Sequence, residues 1–483
     1  MNHINATTTR GTVMLTGVYL VVSFLINLIF CFHASPLWHG YVSDQAMFSI
    51  IGENWAHGQL PYVSTWDSKG PIIFFVNMLG HLIASGENGI FILQILNIAG
   101  TLLIMHLYMR RWCGLRLELL CQLLFLLNYI IICSGGNQVG DSTQLLGTWA
   151  IMCAYDWTRR LEQKQYAHPW GSAVVYGMFT AACLLSRLTD SLVILTFTGI
   201  VAVILIWNGL WRNLMLNIAS FVLGFAIVFV PFAVYFAWHG AFGEMWYATF
   251  SYNLEYAARS TSELQSTIKL AIHRVSYFFC LLLPLAVWCV SMIDRHRRYA
   301  ATVWALAVLP ALIWIFKSYT NANYAISFLP ALVVVLLELA YHARVLHAAK
   351  WLFNLSAAFI TVCCLYHAHI FRDFITVDEA AKQGVALTHD IPATEPLAAY
   401  NVDPTYFLYS HRLPCYRFFA VQDWAIINGR SLKPKVIECF SSGKAKWILV
   451  RAYKESDIKG LLEKKYKAYR RNAATDLTLF KRK

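Results

Sequence analysis

Residues 41–79, YVSDQAMFSIIGENWAHGQLPYVSTWDSKGPIIFFVNML, are the stretch around which the chain is organised, and they interrupt an otherwise very apolar sequence. Asp44 places a carboxylate soon after the first hydrophobic segment. A second polar group, Asp67-Ser68-Lys69, precedes a Gly-Pro step into a short apolar run. An acid at the face of a membrane, with a basic group and aromatic residues close behind it in the sequence, suggests chemistry on a charged, lipid-linked substrate.

Composition places the chain among membrane proteins. Of its 483 residues, 58% are hydrophobic and 13% are charged, with a mean hydropathy of +0.51. Soluble domains are about half apolar and about a quarter charged. The net charge of +13 is explained by basic loops that face the cytoplasm and anionic lipid. Nucleic acid is not an expected partner, because the chain has no zinc-finger or RNA-binding signature. P-loop, GxGxxG, GxSxG and HExxH motifs are missing as well.

Eleven apolar runs are long enough, or nearly long enough, to cross a bilayer, which takes about 20 residues in a helix. They are 11–33, 89–109, 117–134, 143–157, 171–187, 191–208, 213–238, 274–293, 299–316, 324–343 and 350–370. The first run is too long for a signal peptide and lacks a small-residue cleavage site, so we expect it to remain as an anchor.

A further apolar run, 71–84, is interpreted as a helix that lies along the outer face without crossing. Pro71 suits the first turn of a helix, and polar residues from Ser85 end the run after about 14 residues, which is short for a span. If this run does not cross, the basic clusters of the chain fall on one side together with Arg10. The positive-inside rule makes that side the cytoplasm.

The C-terminal tail differs in character from the rest of the chain. It contains several prolines, strand-like runs at 397–402, 416–421 and 446–451, and helical patterns near 378–388 and 455–467. With an odd number of spans, the tail is an outer-face α/β domain. The predicted architecture is thus a polytopic α-helical membrane domain, 1–370, with about eleven spans and outer-face juxtamembrane helices, followed by a small α/β domain, 371–483.

Three predicted outer-face loops each carry an aspartate. Asp44 either caps the helix that starts at SDQAMF or acts as a general base beside the membrane, and spacing alone favours the cap. Asp67 fits an Asx turn before the helix-starting Pro71. Asp141, in the loop SGGNQVGDS, either caps a helix from Ser142 or adds a third carboxylate to the same face as the other two.

Two cations are candidates for binding an anionic substrate. Lys69 either belongs to the turn before Pro71 or binds a lipid-linked phosphate as a point charge. Arg187 and Asp190 interrupt two apolar runs, which fits a polar corner with a snorkelling arginine. Ionisable groups so close to a span are also functional candidates.

Aromatic and sulfur-containing residues leave further alternatives open. Tyr252, Asn253 and Tyr256 form an aromatic–amide stripe that fits an interfacial aromatic belt and a sugar-binding surface equally well. Cys415 and Cys439 are the only cysteines of the tail, so on the oxidising side of the membrane they form a disulfide or remain two separate buried thiols.

The first loop resembles that of GT-C membrane glycosyltransferases. The similar branch contains bacterial enzymes like the dolichyl-phosphate-mannose-protein mannosyltransferases, and the lipid A aminoarabinose transferases. The resemblance rests on an acid after the first span, Asp44, then GQLPY at 58–62 and the KGP step at 69–71. Asp141 matches a second-loop acid, and Asn323-Tyr324 resembles the His-Tyr of a late span.

Three positions depart from the family pattern. Gln45 follows Asp44 where the family often has a second carboxylate, and Asn323 replaces the usual histidine. Ser68 occupies the place of the acid that often precedes the lysine, with Asp67 one residue earlier. These departures bear on metal use and on the type of acceptor more than on the reaction class.

The resemblance implies transfer of a hexose or pentose from a polyprenyl-phosphate-linked donor. The acceptor, a glycan, lipid or protein, is expected on the outer face of the cytoplasmic (inner) membrane. Asp44 would deprotonate the acceptor hydroxyl, so that direct displacement inverts the anomeric centre. Lys69 and Arg187 would stabilise the leaving phosphate, where charge develops. Asp67 and Asp141 would orient the acceptor, or hold a divalent metal ion if one is used.

Contact with the sugar is expected from five residues, which are Tyr62, Tyr252, Asn253, Tyr256 and Tyr324. Two rival functions remain open. A transporter or flippase for polyprenyl-linked sugars would explain the spans, but not the acidic outer loop or the outer domain, and the chain lacks matching halves. A non-catalytic subunit for assembly of envelope glycans would keep the fold without the reaction.

Overall fold

The computed structural model describes residues 5–38, 40, 42–133, 135–260, 286–293, 298–317, 326, 328–343, 347–374 and 379–483. These residues fold mainly into helices, with a four-stranded sheet near the C-terminus. The chain forms two compact units. The first comprises Met1–Cys31, Ile92–Val234 and Thr261–Phe371, and the second comprises Phe32–Phe91, Tyr235–Ser260 and Arg372–Lys483.

Helices account for most of the described chain before the first strand, which begins at Leu397. The helices are α1 (Asn5–Phe30), α2 (Ser43–Ala56), α3 (Pro71–Ile83), α4 (Asn88–Met109), α5 (Leu115–Ile132), α6 (Val139–Leu161), α7 (Trp170–Leu184), α8 (Leu192–Trp207), α9 (Trp211–Trp238), α10 (Phe242–Trp246), α11 (Tyr252–Ser260), α12 (Arg298–Lys317), α13 (Leu329–His342), α14 (His347–Phe374), α15 (Glu379–Thr388), α16 (Thr405–Ser410), α17 (Gln422–Asn428), α18 (Leu432–Ser441) and α19 (Lys459–Lys465). The strands are β1 (Leu397–Tyr400), β2 (Trp447–Arg451), β3 (Tyr466–Asn472) and β4 (Leu477–Arg482).

Apolar helices coincide with the predicted spans wherever the structure describes them. Within the described ranges, five stretches are long and apolar enough to cross a membrane, and these are Gly11–Phe30, Asn88–Met109, Leu115–Ile132, Leu188–Trp207 and Trp211–Trp238. Helices α6, α7, α12, α13 and α14 overlap further predicted spans. The predicted span 274–293 lies mostly outside the described residues. The protein is a multi-pass membrane protein.

Polar side chains inside the first unit pair with one another. The Glu338 carboxylate accepts a hydrogen bond from the Tyr155 hydroxyl over 2.7 Å. Glu118 lies 2.6 Å from Nδ1 of His106. Ionisable groups are costly in an apolar helix unless they find a partner, so these contacts join helices that apolar packing alone would leave without a fixed register.

Helices α2 and α3 of the second unit pack very closely. A Cβ atom added at Gly52 would lie 2.5 Å from Cβ of Asn77 and 2.8 Å from the backbone nitrogen of Met78, so only glycine allows this approach. Gly70 is the N-cap of α3 and Pro71 its first residue, as the sequence predicts. With 13 residues, α3 is about 20 Å long, which is shorter than the hydrocarbon core of a bilayer.

The C-terminal sheet has the strand order β1-β2-β4-β3. Strands β1 and β2 are parallel, whereas β4 pairs antiparallel with both β2 and β3. The predicted strands at 397–402 and 446–451 and the helix at 378–388 are confirmed as β1, β2 and α15. The predicted helix at 455–467 is shorter, α19, and gives way to β3. Strands β3 and β4 were not expected from the sequence.

The predicted strand at 416–421 is wrong, since this segment is irregular in the structure. The backbone of this segment bonds to the first loop and not to the sheet. The carbonyl oxygen of Arg417 accepts a hydrogen bond from the Trp66 nitrogen over 2.9 Å. The side chains of Tyr416 and Phe418 are nevertheless buried. The apolar pattern that resembles a strand therefore arises from packing in a loop.

Candidate active site

Asp44 lies in the first turn of α2 and does not cap it. The N-cap is Val42, and no side-chain hydrogen bond closes this helix end. Asp44 is half-buried. A carboxylate in the first helical turn is stabilised by the helix dipole. The capping role that spacing alone favoured is not seen.

Asp67 is a buried carboxylate in the turn before α3. Its Oδ1 accepts a hydrogen bond from the Ser68 nitrogen over 2.7 Å and lies 3.8 Å from Nζ of Lys69. Within the described part of the chain, its buried Oδ2 has no hydrogen-bond partner. Burial raises the pKa of Asp67, the charge of Lys69 opposes this, and the charge of Asp44 adds to the increase. The two carboxylates are thus close enough to repel each other.

Lys69 lies between these two acids and the start of α3. Its Nζ is 5.9 Å from the centroid of the Phe48 ring, one helical turn after Asp44 on α2. Its side chain is 24% exposed, so the ammonium can be reached from solvent. Gly70, the N-cap of α3, follows directly. A cation beside the free N–H groups of a helix N-terminus is a favourable site for a phosphate group.

Tyr62 holds the backbone of the turn that contains Asp67 and Lys69. Its backbone has a positive φ of 68°, and its fully buried hydroxyl donates to the carbonyl oxygen of Lys69 over 2.8 Å. Burial holds the pKa of Tyr62 well above its usual range, so the hydroxyl remains a donor. Tyr62 has no exposed surface in the structure, and a sugar contact by Tyr62 stays a prediction.

Tyr252 and Asn253 also support the site from within the core. The Asn253 amide donates to the Ser68 carbonyl oxygen over 2.7 Å. Tyr252 packs edge-on against Trp66 at 5.1 Å between ring centroids, and its hydroxyl donates to the carbonyl oxygen of Ala425. Tyr252 is only 1% exposed. Tyr252 and Asn253 therefore hold the loop in place, and a sugar contact by either residue stays a prediction.

Of the other two predicted sugar-contacting tyrosines, the structure describes Tyr256. Tyr256 is half-buried, and its ring centroid lies 5.9 Å from that of Trp424. A sugar contact by Tyr256 stays a prediction. Tyr324 lies outside the described residues.

Asp141 belongs to the first unit, where it completes a capping box at the start of α6. Its Oδ2 accepts a hydrogen bond from the Gln138 nitrogen over 2.9 Å, and the Gln138 side chain returns a bond to the N3 backbone. The helix begins at Val139, three residues before the predicted start at Ser142. The capping alternative accounts for one carboxylate oxygen. A shared site with Asp44 and Asp67 stays a prediction.

Arg187 forms a two-pronged ion pair with Asp190 in the first unit. Its Nε and Nη2 donate to the two carboxylate oxygens over 2.7 Å and 3.0 Å. This geometry fits the polar corner predicted from the sequence. Binding of the donor phosphate by Arg187 stays a prediction.

Cys415 and Cys439 line one cavity of the second unit as free thiols. The structure thus lacks the predicted disulfide. Burial raises the pKa of Cys415 to about 11, and the neighbouring Cys439 thiol adds to the increase. The thiols are therefore mostly protonated at neutral pH, and oxidation in the membrane-inserted protein is the test of the predicted bond.

The described residues of the second unit supply only part of the ligands that a metal ion needs. Asp44 and Asp67 supply two carboxylates, and the described residues contain no group of three or more His, Cys, Asp and Glu side chains that would hold an ion. Two carboxylates alone do not complete a protein-bound coordination sphere.

Two parts of the site are not evident from the sequence. The contact of Asn253 with Ser68 joins residues 185 positions apart. Phe48 stands four residues after Asp44, which places both on one face of α2. The helical spacing could have shown the second relationship but not the first.

Comparison with known proteins agrees with this architecture. No protein-family model and no curated protein matches the sequence. Among solved structures, ArnT from Cupriavidus metallidurans bound to undecaprenyl phosphate is similar, with a TM-score of 0.60, 14% identity and alignment over 97% of this chain and 98% of that chain. Its apo state gives a TM-score of 0.55 at 14% identity, over 98% of both chains. The chain has the fold of GT-C membrane glycosyltransferases, which confirms the predicted fold class.

Proposed function

We propose that the protein is a membrane glycosyltransferase that moves a sugar from a polyprenyl-phosphate-linked donor to an acceptor hydroxyl at the outer face of the cytoplasmic membrane. The observation that carries this proposal is the grouping of two carboxylates and a lysine, Asp44, Asp67 and Lys69, at the starts of α2 and α3. The likeness in fold to ArnT, which was solved with undecaprenyl phosphate bound, supports the class of donor.

Lys69 and the start of α3 bind the phosphate of the donor. The ammonium is partly exposed, and the first N–H groups of α3 have no partners inside the helix. Both favour an anion, and both favour it more as negative charge grows on the departing phosphate.

Asp44 acts as the general base. It accepts the proton of the acceptor hydroxyl while the oxygen attacks the anomeric carbon of the donor sugar. The bond from that carbon to the phosphate oxygen breaks, and its electron pair leaves with polyprenyl phosphate. Because the oxygen attacks from the side opposite the leaving group, the anomeric configuration inverts. The proton thus ends on Asp44 and the electron pair on polyprenyl phosphate, and no further reactant is needed.

Asp67 positions the reacting groups. Its Oδ1 lies near the Lys69 ammonium, while its buried Oδ2 has no partner among the residues that the structure describes. A buried acceptor without a partner is unfavourable, so an acceptor hydroxyl that donates to Oδ2 gains a hydrogen bond that water cannot easily replace. Tyr62 and Asn253 hold the backbone of this turn in place.

Release of polyprenyl phosphate tests the proposal. Purified protein is incubated with a polyprenyl-phosphate sugar and extracted envelope acceptors, and both free polyprenyl phosphate and glycosylated product are measured. Formation of both supports the proposal. A flippase instead moves intact donor across proteoliposome membranes, and an assembly subunit releases nothing. A parallel reaction with a chelator shows whether a divalent ion is needed, since only a metal-dependent enzyme loses activity.

A further inference from the structure

A second polar cavity lies in the second unit, between the first loop, the segment after α9 and the tail. Its volume is about 830 Å³, which is within the range of small-molecule sites. Its lining includes the cations Arg417, Lys435 and Lys444 and the acids Glu244 and Glu438. None of these residues has a role in the proposed transfer step, so the cavity needs its own explanation.

Two cations in this cavity share one carboxylate. Arg417 forms an ion pair with Glu244 through Nη2, and Lys435 Nζ lies 3.7 Å from the other carboxylate oxygen. Burial acts to raise the pKa of Glu244, but the hydrogen bond and charge of Arg417 and the charge of Lys435 outweigh this and lower it. Glu244 therefore stays ionised near neutral pH, and the pair of cations keeps one positive charge in excess.

Arg417 has donor capacity that the protein does not use. Its Nε is buried and has no hydrogen-bond partner within the described ranges. Its guanidinium lies 5.2 Å from the centroid of the Phe418 ring. The Arg417 side chain is 20% exposed, so its outer N–H groups, with the Lys435 ammonium on the same carboxylate, suit a phosphate group in the cavity.

The lining of the cavity also includes uncharged polar groups. These are Asn54, Gln59 and Ser64, and the Ser64 hydroxyl donates to Gln59 over 3.0 Å. Amides and hydroxyls that both donate and accept match the hydroxyl groups of a saccharide. The cavity thus combines an anion site with a wall of carbohydrate-like hydrogen-bonding partners.

We propose that this cavity binds a saccharide that carries one phosphate group, and that it holds the acceptor of the transfer reaction. The second part rests on the proposed function. It is supported by the hydrogen bond from the Trp66 nitrogen to the Arg417 carbonyl oxygen over 2.9 Å, since Trp66 directly precedes Asp67. The ring of Trp66 also packs on Phe418 at 5.5 Å. The cavity wall and the Asp67 turn are therefore directly connected.

Equilibrium binding to the full-length protein in detergent tests the first part. The probes are glucose 6-phosphate, glucose and inorganic phosphate, with phosphatidylinositol mixed micelles as a lipid-linked phosphate on a sugar-like ring of hydroxyl groups. Binding at least about tenfold tighter for a phosphorylated saccharide than for glucose or phosphate alone is expected. Binding of glucose 6-phosphate identifies a free sugar phosphate as the ligand form, and binding only of phosphatidylinositol identifies a lipid headgroup. If neither glucose 6-phosphate nor phosphatidylinositol binds, the proposal is overturned.

Variants on one helix locate the site. Lys435→Ala should weaken binding of the phosphorylated probe by about tenfold or more, because it removes a charge-assisted contact. Lys433→Ala is the matched control, since Lys433 is on the same helix, α18, but pairs with Asp457 and does not line the cavity. If Lys435→Ala and Lys433→Ala bind the phosphorylated probe equally well, the assignment of the binding site to this cavity is overturned.

Glu244→Gln separates an anion site from a structural ion pair. Glutamine keeps the shape but frees Arg417 and Lys435 from a competing charge, so the phosphorylated probe should bind several-fold tighter while glucose binding is unchanged. A structural role for the pair predicts the reverse, weaker binding and lower stability. In protein kept under reductant, the thiols of Cys415 and Cys439 report occupancy, because both line the cavity and the bound probe should slow their alkylation. Unchanged alkylation at saturating probe places the binding elsewhere.

Kinetics separate this inference from the proposed function. In the transfer assay, Lys435→Ala should raise KM for the acceptor by about tenfold without changing KM for the donor. Probe binding without any transfer activity leaves the saccharide site standing and refutes the proposed reaction. Transfer with an unchanged acceptor KM refutes the acceptor role of the cavity alone.

Discussion

The side-chain amide of Asn253 donates a hydrogen bond to the backbone carbonyl of Ser68 over 2.7 Å. Ser68 stands between Asp67 and Lys69, and the hydroxyl of Tyr62 bonds to the next carbonyl, that of Lys69. Two side chains from different parts of the chain thus hold consecutive peptide groups of one turn. This turn sets the separation of the buried carboxylate from the lysine, and hence the geometry on which the proposed phosphate site depends.

Asp44→Asn should reduce transfer by about two to four orders of magnitude, because the amide cannot accept the proton of the acceptor hydroxyl. Expression and thermal stability should change little, since Asp44 makes no capping bond in the structure. Glu53→Gln, at the other end of α2, is the matched control and should keep activity. Initial rates with saturating donor measure the effect. A near wild-type rate for Asp44→Asn would show that Asp44 is not the base.

Lys69→Ala should weaken use of the donor severely, because it removes the cation next to the N-terminus of α3. Lys69→Arg, which keeps the charge but changes its shape, should recover part of the loss. Asn253→Ala should raise KM for the donor by a smaller factor, because it loosens the turn without removing the charge. The KM of the donor is the measurement. Normal turnover by Lys69→Ala at low donor concentration would remove Lys69 from the site.

Asp67 should make stability depend on pH. Its pKa is raised above the ordinary value of 3.8 mainly by burial, so the folded protein holds this proton more tightly than the unfolded chain does. Stability should therefore decrease as the pH rises from about 3.8 through the raised pKa. Asp67→Asn should lack this decrease, while its oxygen still accepts from the Ser68 nitrogen. Apparent Tm values between pH 4 and pH 8 test this, and parallel curves for both proteins would contradict it.

Residues 71–84 should lie on the outer face of the membrane together with the C-terminus. Ser85 is exposed in the structure, so Ser85→Cys should react with an impermeant maleimide added from outside. Gln163→Cys, also exposed and in a loop with basic neighbours, should react only after the membrane is opened. Labelling of Ser85→Cys only from the cytoplasmic side would reverse this topology.

Cys415 and Cys439 should form a disulfide in the membrane-inserted protein on the oxidising side. Closing a loop of this length stabilises a domain by roughly 3 kcal/mol in the chain-entropy model. Alkylation without reductant, followed by mass spectrometry, measures the free thiols. If both cysteines are alkylated fully in the native protein, they remain thiols, as in the structure.

The spans and the positions of the candidate acids could be predicted from the sequence. Apolar runs must form helices in a bilayer, because their backbone groups find no other partners there, so α1 and α4 to α9 lie where hydropathy places them. Asp44, Asp67 and Lys69 stand out in the sequence for the same reason, since ionisable groups next to apolar helices are costly and rarely lack a role.

Only the tertiary structure decided which residues surround the site and which merely support it. Tyr62 and Tyr252 resemble sugar-binding aromatics in the sequence, but long-range packing buries them beneath the turn. The cap assigned to Asp44 from local spacing is absent, since Val42 takes that position in the folded helix. Local sequence determines helices through backbone hydrogen bonding, which acts over a few residues. Contacts such as Asn253–Ser68 depend on chain segments 185 residues apart, and no local pattern encodes them.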